Sequence, residues 1–194
     1  HGETLKSRLT KMSAPPGEAW LRALLDSVLD ALTVIHGANV FHRDIAPDNI
    51  MLLEDDVPVV LDFGAARRVI GDATQGLTVI LKPGYAPIEQ YAEVKSMKQG
   101  AWTDIYALAA TVYYAVTGKP PEPAVARMMS DTLVPLAEAG RGRYSEGFLT
   151  AMDAALRVKP EQRPQSVAAF RALRGAAPAV AAVEPPRPAP PAAT

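Results

Sequence analysis

The sequence predicts a mainly α fold with a small β component, on three observations. A long amphipathic pattern runs from Glu18 to His36, with Trp20, Leu21, Leu24, Leu25, Val28, Leu29, Leu32 and Ile35 on one broad face. Residues 102–117 form a second pattern in which Trp102, Ile105, Leu108, Ala109, Val112, Tyr113 and Val116 cover most of a helix surface. That helix is expected to be buried on several sides. Between the two, Val40-Phe41, Ile50–Leu53 and Pro58–Leu61 are short apolar runs bounded by turns, as strands are.

The remaining elements follow in chain order. Leu5 and Leu9 sit four apart, so residues 3–12 read as a short helix, and Ala14-Pro15-Pro16-Gly17 breaks it. Gly37 is placed to cap the long helix. Glu54-Asp55-Asp56 reads as a polar turn between strands rather than a metal site. Residues 65–85 show no period and read as a long loop, which in compact domains is usually functional or disordered. Gly118 ends the apolar helix and Pro120-Pro121 prevents its continuation. Shorter helices are expected near 121–130, 145–157 and 164–173. The end of the chain is Ala, Pro and Val with almost no charge and reads as an extended linker.

Composition narrows the function classes. The chain has 194 residues and a formal net charge of −1, so no global basic field draws in nucleic acid. It has no cysteine, which excludes disulfides and thiolate metal sites and fits a cytoplasmic protein. The N-terminal residues are neither a basic start nor an apolar signal, and no apolar run is long enough to span a membrane.

Residues 42–49 read His42-Arg43-Asp44-Ile45-Ala46-Pro47-Asp48-Asn49, and Asp62-Phe63-Gly64 follows. This sets an aspartate that could accept a proton beside an asparagine and a second aspartate that could hold Mg²⁺. Phosphoryl transfer from ATP needs such a set, because its chemistry is mostly positioning and charge neutralisation. Five landmarks occur in order: HRDIAPDNI at 42–50, LDFGAA at 61–66, KPGYAPIEQY at 82–91, WTDIYALA at 102–109 and EQRP at 161–164. On these landmarks the chain resembles the C-terminal lobe of a bacterial-type serine/threonine protein kinase, from residue 2 to residue 173.

The resemblance implies a protein-kinase-like fold limited to that lobe, over residues 1–174, with a Pro/Ala-rich tail at 175–194. It implies ATP and Mg²⁺ as cofactors and protein substrates as partners. Asp44 would orient the substrate hydroxyl and accept its proton. Asn49 and Asp62 would coordinate Mg²⁺, since hard cations take oxygen ligands. Met51 would lie beneath the adenine, and His42 and Phe63 would join an internal apolar spine. Asp104 would anchor the catalytic-loop backbone, and Glu89 and Arg163 would form a buried ion pair. Arg43 would read a phosphate on the loop that follows, where Thr74 and Thr78 are the candidate acceptors.

Two departures from the family pattern fall together. Ala46 stands where the family carries a lysine that contacts the transferring phosphate. Lys82 stands where the family carries a threonine bonded to that lysine. We expect Lys82 to supply the charge that Ala46 lacks, within about 8 Å of the Asp44 carboxylate, beyond which such charges interact weakly.

The chain shows no Gly-rich loop, no Val-Ala-x-Lys strand and no upper-lobe helix glutamate, and Gly2-Glu3-Thr4-Leu5 resembles the segment after the hinge. The resemblance thus casts an upper lobe as the missing partner. It assigns activity to a two-lobe parent, which a membrane anchor beyond the tail could tether, and predicts an inactive lower lobe with apolar residues exposed on its upper face. Two other functions fit parts of the pattern. A pseudokinase scaffold fits Ala46, and a small-molecule phosphotransferase shares the His-x-Asp-x4-Asn set but generally lacks a segment like 84–89.

Overall fold

Thr4 decides how the chain enters its first helix. Its hydroxyl accepts the Ser7 N–H at 3.1 Å and its backbone is extended, so it caps α1 (Leu5–Lys11) from outside. Glu3–Thr4 are therefore strand β1 rather than the helical start expected from sequence, and they pair antiparallel with Leu52 and Met51. The structure, a computed structural model, describes residues 2–61, 67–68, 81–91 and 97–175, with backbone alone for 67–68.

The long helix α2 (Glu18–Gly37) buries Leu21, Leu24, Leu25, Val28, Leu29 and Leu32. Its cap is Ala38, one residue beyond the expected Gly37. Trp20 is only half-buried, and its indole N–H donates to Asp56 at 2.9 Å. Strands β2 (Val40–Phe41), β3 (Ile50–Leu52) and β4 (Pro58–Val60) occupy the expected runs. A three-stranded antiparallel sheet runs β1-β3-β4, with Ile50 opposite Val60. Its turn holds Asp55 and Asp56 at φ 58°, a left-handed backbone that short polar side chains tolerate. Strand β2 pairs with β5 (Arg67–Arg68), which corrects the reading of that stretch as loop. The two arginines carry no strand pattern; the ladder comes from Val40–Phe41.

Helix α3 (Ala101–Thr117) runs through the core. Every residue from Thr103 to Val116 except Tyr114 is buried, and Gly118 ends the helix at φ 76°. Around it lie α4 (Ala124–Met129), α5 (Leu136–Ala139), α6 (Glu146–Ala155) and α7 (Val167–Gly175). Leu25, Ile105, Leu108, Phe148, Met152 and Phe170 meet in one cluster. Helix α5 was not expected, because four residues show no period. It exists because Asp153 on α6 accepts the Leu136 and Ala137 N–H groups at 2.7 and 2.9 Å, a cap supplied from another helix. Burial pushes the Asp153 carboxyl up, against those two hydrogen bonds. No helix among the described residues is long and apolar enough to cross a membrane.

Two sets of charges tie the elements together. Arg163 and Glu89, both with fully buried side chains, meet at 2.7 Å. Thr103 adds a hydroxyl to the same Glu89 oxygen at 3.0 Å, and Arg163 donates to the Arg157 and Val158 carbonyls at 2.6 Å each. Its guanidinium lies 4.6 Å from the centre of the Tyr106 ring. At the opposite end, Arg8 bridges Glu3 and Asp56 at 2.7 Å each, and Lys11 reaches Glu3 at 2.6 Å. Lys11, then Arg8 and Ser7, hold the Glu3 carboxyl down at about 2.

Arg163→Leu should cost about 3–5 kcal/mol in urea unfolding, since it strands a buried carboxylate. The Glu89→Leu/Arg163→Leu double variant should cost clearly less than the two single losses added; strict additivity would show that the two side chains are not coupled. Because the Glu3 pKa is depressed in the folded chain, its contribution is present above the ordinary carboxylate range and lost as pH falls from about 4.5 towards 2. Glu3→Gln should remove that part of the acid limb of the stability curve, and high salt should shrink the difference.

Candidate active site

The loop at 42–49 hangs from one buried carboxylate. Asp104 lies in the first turn of α3, where the helix dipole favours an anion, and it is fully buried. Its Oδ2 accepts the His42 backbone N–H at 2.9 Å and meets His36 Nε2 at 2.8 Å, while Oδ1 accepts the Arg43 N–H at 2.7 Å. Arg43 sits at φ 68°, a conformation costly for a long side chain. It is held there from both sides, because the Gln90 amide donates to its carbonyl at 2.7 Å. The sequence reading named Asp104 and Arg43 but missed His36 and Gln90. His36 was set aside as a helix-end residue. Only the fold brings the end of α2 under α3, so no local signal pointed to it.

His42 is fully buried, and its ring links the loop to the strand end. Nε2 donates to the Leu61 carbonyl at 3.1 Å, and Nδ1 faces the Asp44 N–H at 3.3 Å. Asn49 turns both of its amide bonds to Asp44, donating to the carbonyl at 2.8 Å and to Oδ2 at 2.7 Å. Its own backbone closes a turn on Ala46 and accepts Leu61 N–H at 2.8 Å. With the NH₂ committed to Asp44, the Asn49 side-chain oxygen is left as a donor to a hard cation.

Lys82 comes to this loop from a separate segment. Its ammonium stands 3.2 Å from Asp44 Oδ1 and 3.4 Å from Asp48 Oδ1. Ala46 is fully buried, and its methyl group offers no charge of its own. The Lys82 carbonyl accepts the Tyr85 and Ala86 N–H groups at 3.0 Å each, which closes the Lys82–Ala86 turn. Gly84 makes the turn possible. It sits at φ 87°, and a Cβ there would come 2.7 Å from the Pro121 carbonyl. The turn thus docks on Pro120-Pro121, the pair that follows the central helix. Arg43, Asp44, Ile45, Lys82, Tyr85 and Gln90 line the small cleft between the two segments. Burial, and then Tyr114 and Asp48 nearby, push the Tyr85 hydroxyl well above its ordinary value, so it stays protonated.

Met51 lies half-buried in β3 opposite Val59. Leu53, Val57 and Val59 are exposed beside it, an apolar edge of the kind expected on the upper face. Glu89 and Arg163 form their buried pair, as expected from the sequence. Asp62, Phe63, Thr74 and Thr78 lie outside the described residues.

Residues 1–172 match the protein kinase domain family. Serine/threonine-protein kinase F of Synechocystis sp. is 37% identical over 122 residues, covering 61% of this chain and 24% of that protein. Serine/threonine-protein kinase PknA of Nostoc sp. is 38% identical over 128 residues, covering 62% of this chain and 22% of that protein. The solved structure of PpkA-294 in its apo form is 43% identical with a TM-score of 0.76, over 89% of this chain and 60% of that one. The chain spans about a quarter of the length of these two curated relatives. With a match across nearly all its described residues and this arrangement around Asp104, the chain belongs to the protein kinase domain family, with bacterial-type serine/threonine kinases among its relatives.

Proposed function

We propose that this lobe serves, within a two-lobe kinase, the transfer of the γ-phosphoryl group of ATP to serine or threonine hydroxyls of protein substrates. The observation that carries the reading is the Lys82 ammonium 3.2 Å from Asp44 Oδ1. It gives the base a cation that the catalytic loop itself does not provide. The serine/threonine class rests on the printed names of the relatives.

Asp44 is the base in this reading. Asn49 and Lys82 each take one lone pair on its two oxygens, which fixes the carboxylate plane and leaves further lone pairs for a substrate hydroxyl. The hydroxyl oxygen forms a bond to the γ-phosphorus as the bond to the β-phosphate oxygen breaks. Asp44 takes the proton, and ADP leaves. Lys82 stabilises the negative charge on the phosphoryl oxygens in flight. Asn49, through its side-chain oxygen, and Asp62 would hold Mg²⁺. The ion, when bound, neutralises phosphate charge. Met51 supports the adenine, with an upper lobe closing over the exposed Leu53, Val57 and Val59. Arg43 reads a phosphate on Thr74 or Thr78. A scaffold without catalysis is the weaker reading, because its one support, Ala46, is answered by Lys82.

The assay is phosphate transfer from ATP to casein by the full-length natural protein with Mg²⁺. Asp44→Asn should lower kcat about 10²–10⁴-fold, as expected for a lost general base. Lys82→Ala should lower it about 10²-fold, and Lys82→Arg should keep more activity than Lys82→Ala. The relocated pair Ala46→Lys/Lys82→Thr should recover much of what Lys82→Ala loses. Unchanged turnover in Lys82→Ala would refute its role. Mass spectrometry after incubation with ATP should find phosphate at Thr74 or Thr78; an unmodified 65–85 peptide from an active preparation counts against that assignment.

A further inference from the structure

Lys82 does not rest on Asp44 alone, and the second contact assigns a task to Asp48. The ammonium lies 3.2 Å from Asp44 Oδ1 and 3.4 Å from Asp48 Oδ1, so the two carboxylates share it almost equally. Lysine carries its charge on a flexible four-carbon stem with three donors. Facing Asp44 alone, the ammonium would settle on the base and occupy the side where a substrate hydroxyl must arrive. A second carboxylate four residues along the same loop divides that attraction and holds the ammonium between the two. The backbone under Asp48 suits an anchor. Pro47 restricts its own φ, the Pro47 carbonyl accepts the Lys6 N–H at 2.9 Å, and the Asn49 N–H returns to Ala46 at 2.9 Å. Among the described residues, Lys82 is the only ion-pair partner of the Asp48 carboxylate.

Resting on the reading of Lys82 as the catalytic cation, we propose that Asp48 is a positioning residue. It draws the Lys82 ammonium off the base and towards the transferring phosphoryl group, and it acts through Lys82 rather than by touching substrate. The same bridge latches the Lys82–Ala86 turn to the catalytic loop, so the cation is in place only when that turn is docked. The Asp48 side chain is 45% exposed, so a direct contact with a basic substrate is the competing role that the test must separate.

The test is a mutant cycle in the full-length natural protein. Asp48→Asn and Asp48→Glu are made alone and with Lys82→Ala, with acidic casein and basic histone as acceptors. Asp48→Asn should lower kcat about tenfold with both acceptors and leave both KM values within about twofold, because it misplaces a catalytic group without removing a binding contact. Asp48→Glu should restore part of the loss. In the Lys82→Ala background Asp48→Asn should change kcat less than about twofold, since its effect passes through Lys82. The rate at which acetic anhydride modifies Lys82, read by mass spectrometry against the other lysines, should rise in Asp48→Asn, independent of turnover. A loss confined to the histone KM, or one of equal size with and without Lys82, overturns the proposal and assigns Asp48 to substrate contact. Unchanged kcat in Lys82→Ala alone would instead remove the reading of Lys82, and the proposal with it.

Discussion

The Asp104 carboxylate is the buried charge around which the loop at 42–49 is built. A buried anion must be matched by donors, or burial costs several kcal/mol. Here two backbone N–H groups, from His42 and Arg43, and the His36 ring meet that demand. The cost of leaving any of them unmatched fixes the loop's path. Arg43 accepts a left-handed backbone because its N–H and carbonyl are both pinned. With Arg43 so held, the next residue, Asp44, points its carboxylate into the cleft, where Asn49 and Lys82 reach it. The central helix thus acts twice, as the apolar core and as the carrier of the charge that orders the site.

A second buried pair plays the matching part for the segment after Lys82. Glu89 and Arg163 join the short helical turn after Lys82 to the segment before α7, and Thr103 connects that pair to α3. Thr103 and Asp104 are neighbours at the start of one helix. One organises the segment around Glu89 and the other the loop at 42–49. Lys82 closes the gap between the two systems through its ion pairs with Asp44 and Asp48. In the family pattern the equivalent charge sits on the catalytic loop itself. Here Lys82 belongs to the opposite segment, so the charge beside Asp44 depends on how two parts of the chain meet.

Much of this was legible in the sequence, and the failures have physical reasons. Helices α2 and α3 were readable because a long element repeats its apolar period many times. Helix α5 and strands β1 and β5 were not, because two to four residues show no period, and each owes its form to a partner elsewhere. Asp153 makes α5, Met51 and Leu52 make β1, and Val40–Phe41 make β5. In the site, Asp44, Asn49, Glu89, Asp104 and Arg163 were named from motifs. His36, Gln90 and Asp48 were not, since each meets its partner across a long stretch of chain.

The sequence by itself determined the helical core, the order of the five landmarks and the chemical inventory at 42–49. These are local properties, set by side-chain period and by residue type at fixed spacing. It also showed that one basic residue was missing at Ala46 and another present at Lys82. Only the tertiary structure decided that Lys82 reaches the loop carrying Ala46, with the ammonium 3.2 Å from Asp44. That placement depends on Gly84 turning against Pro121 and on Asp104 holding the facing loop. Contacts between segments so far apart in the chain are fixed by packing and by buried charges finding partners, and no local pattern encodes them.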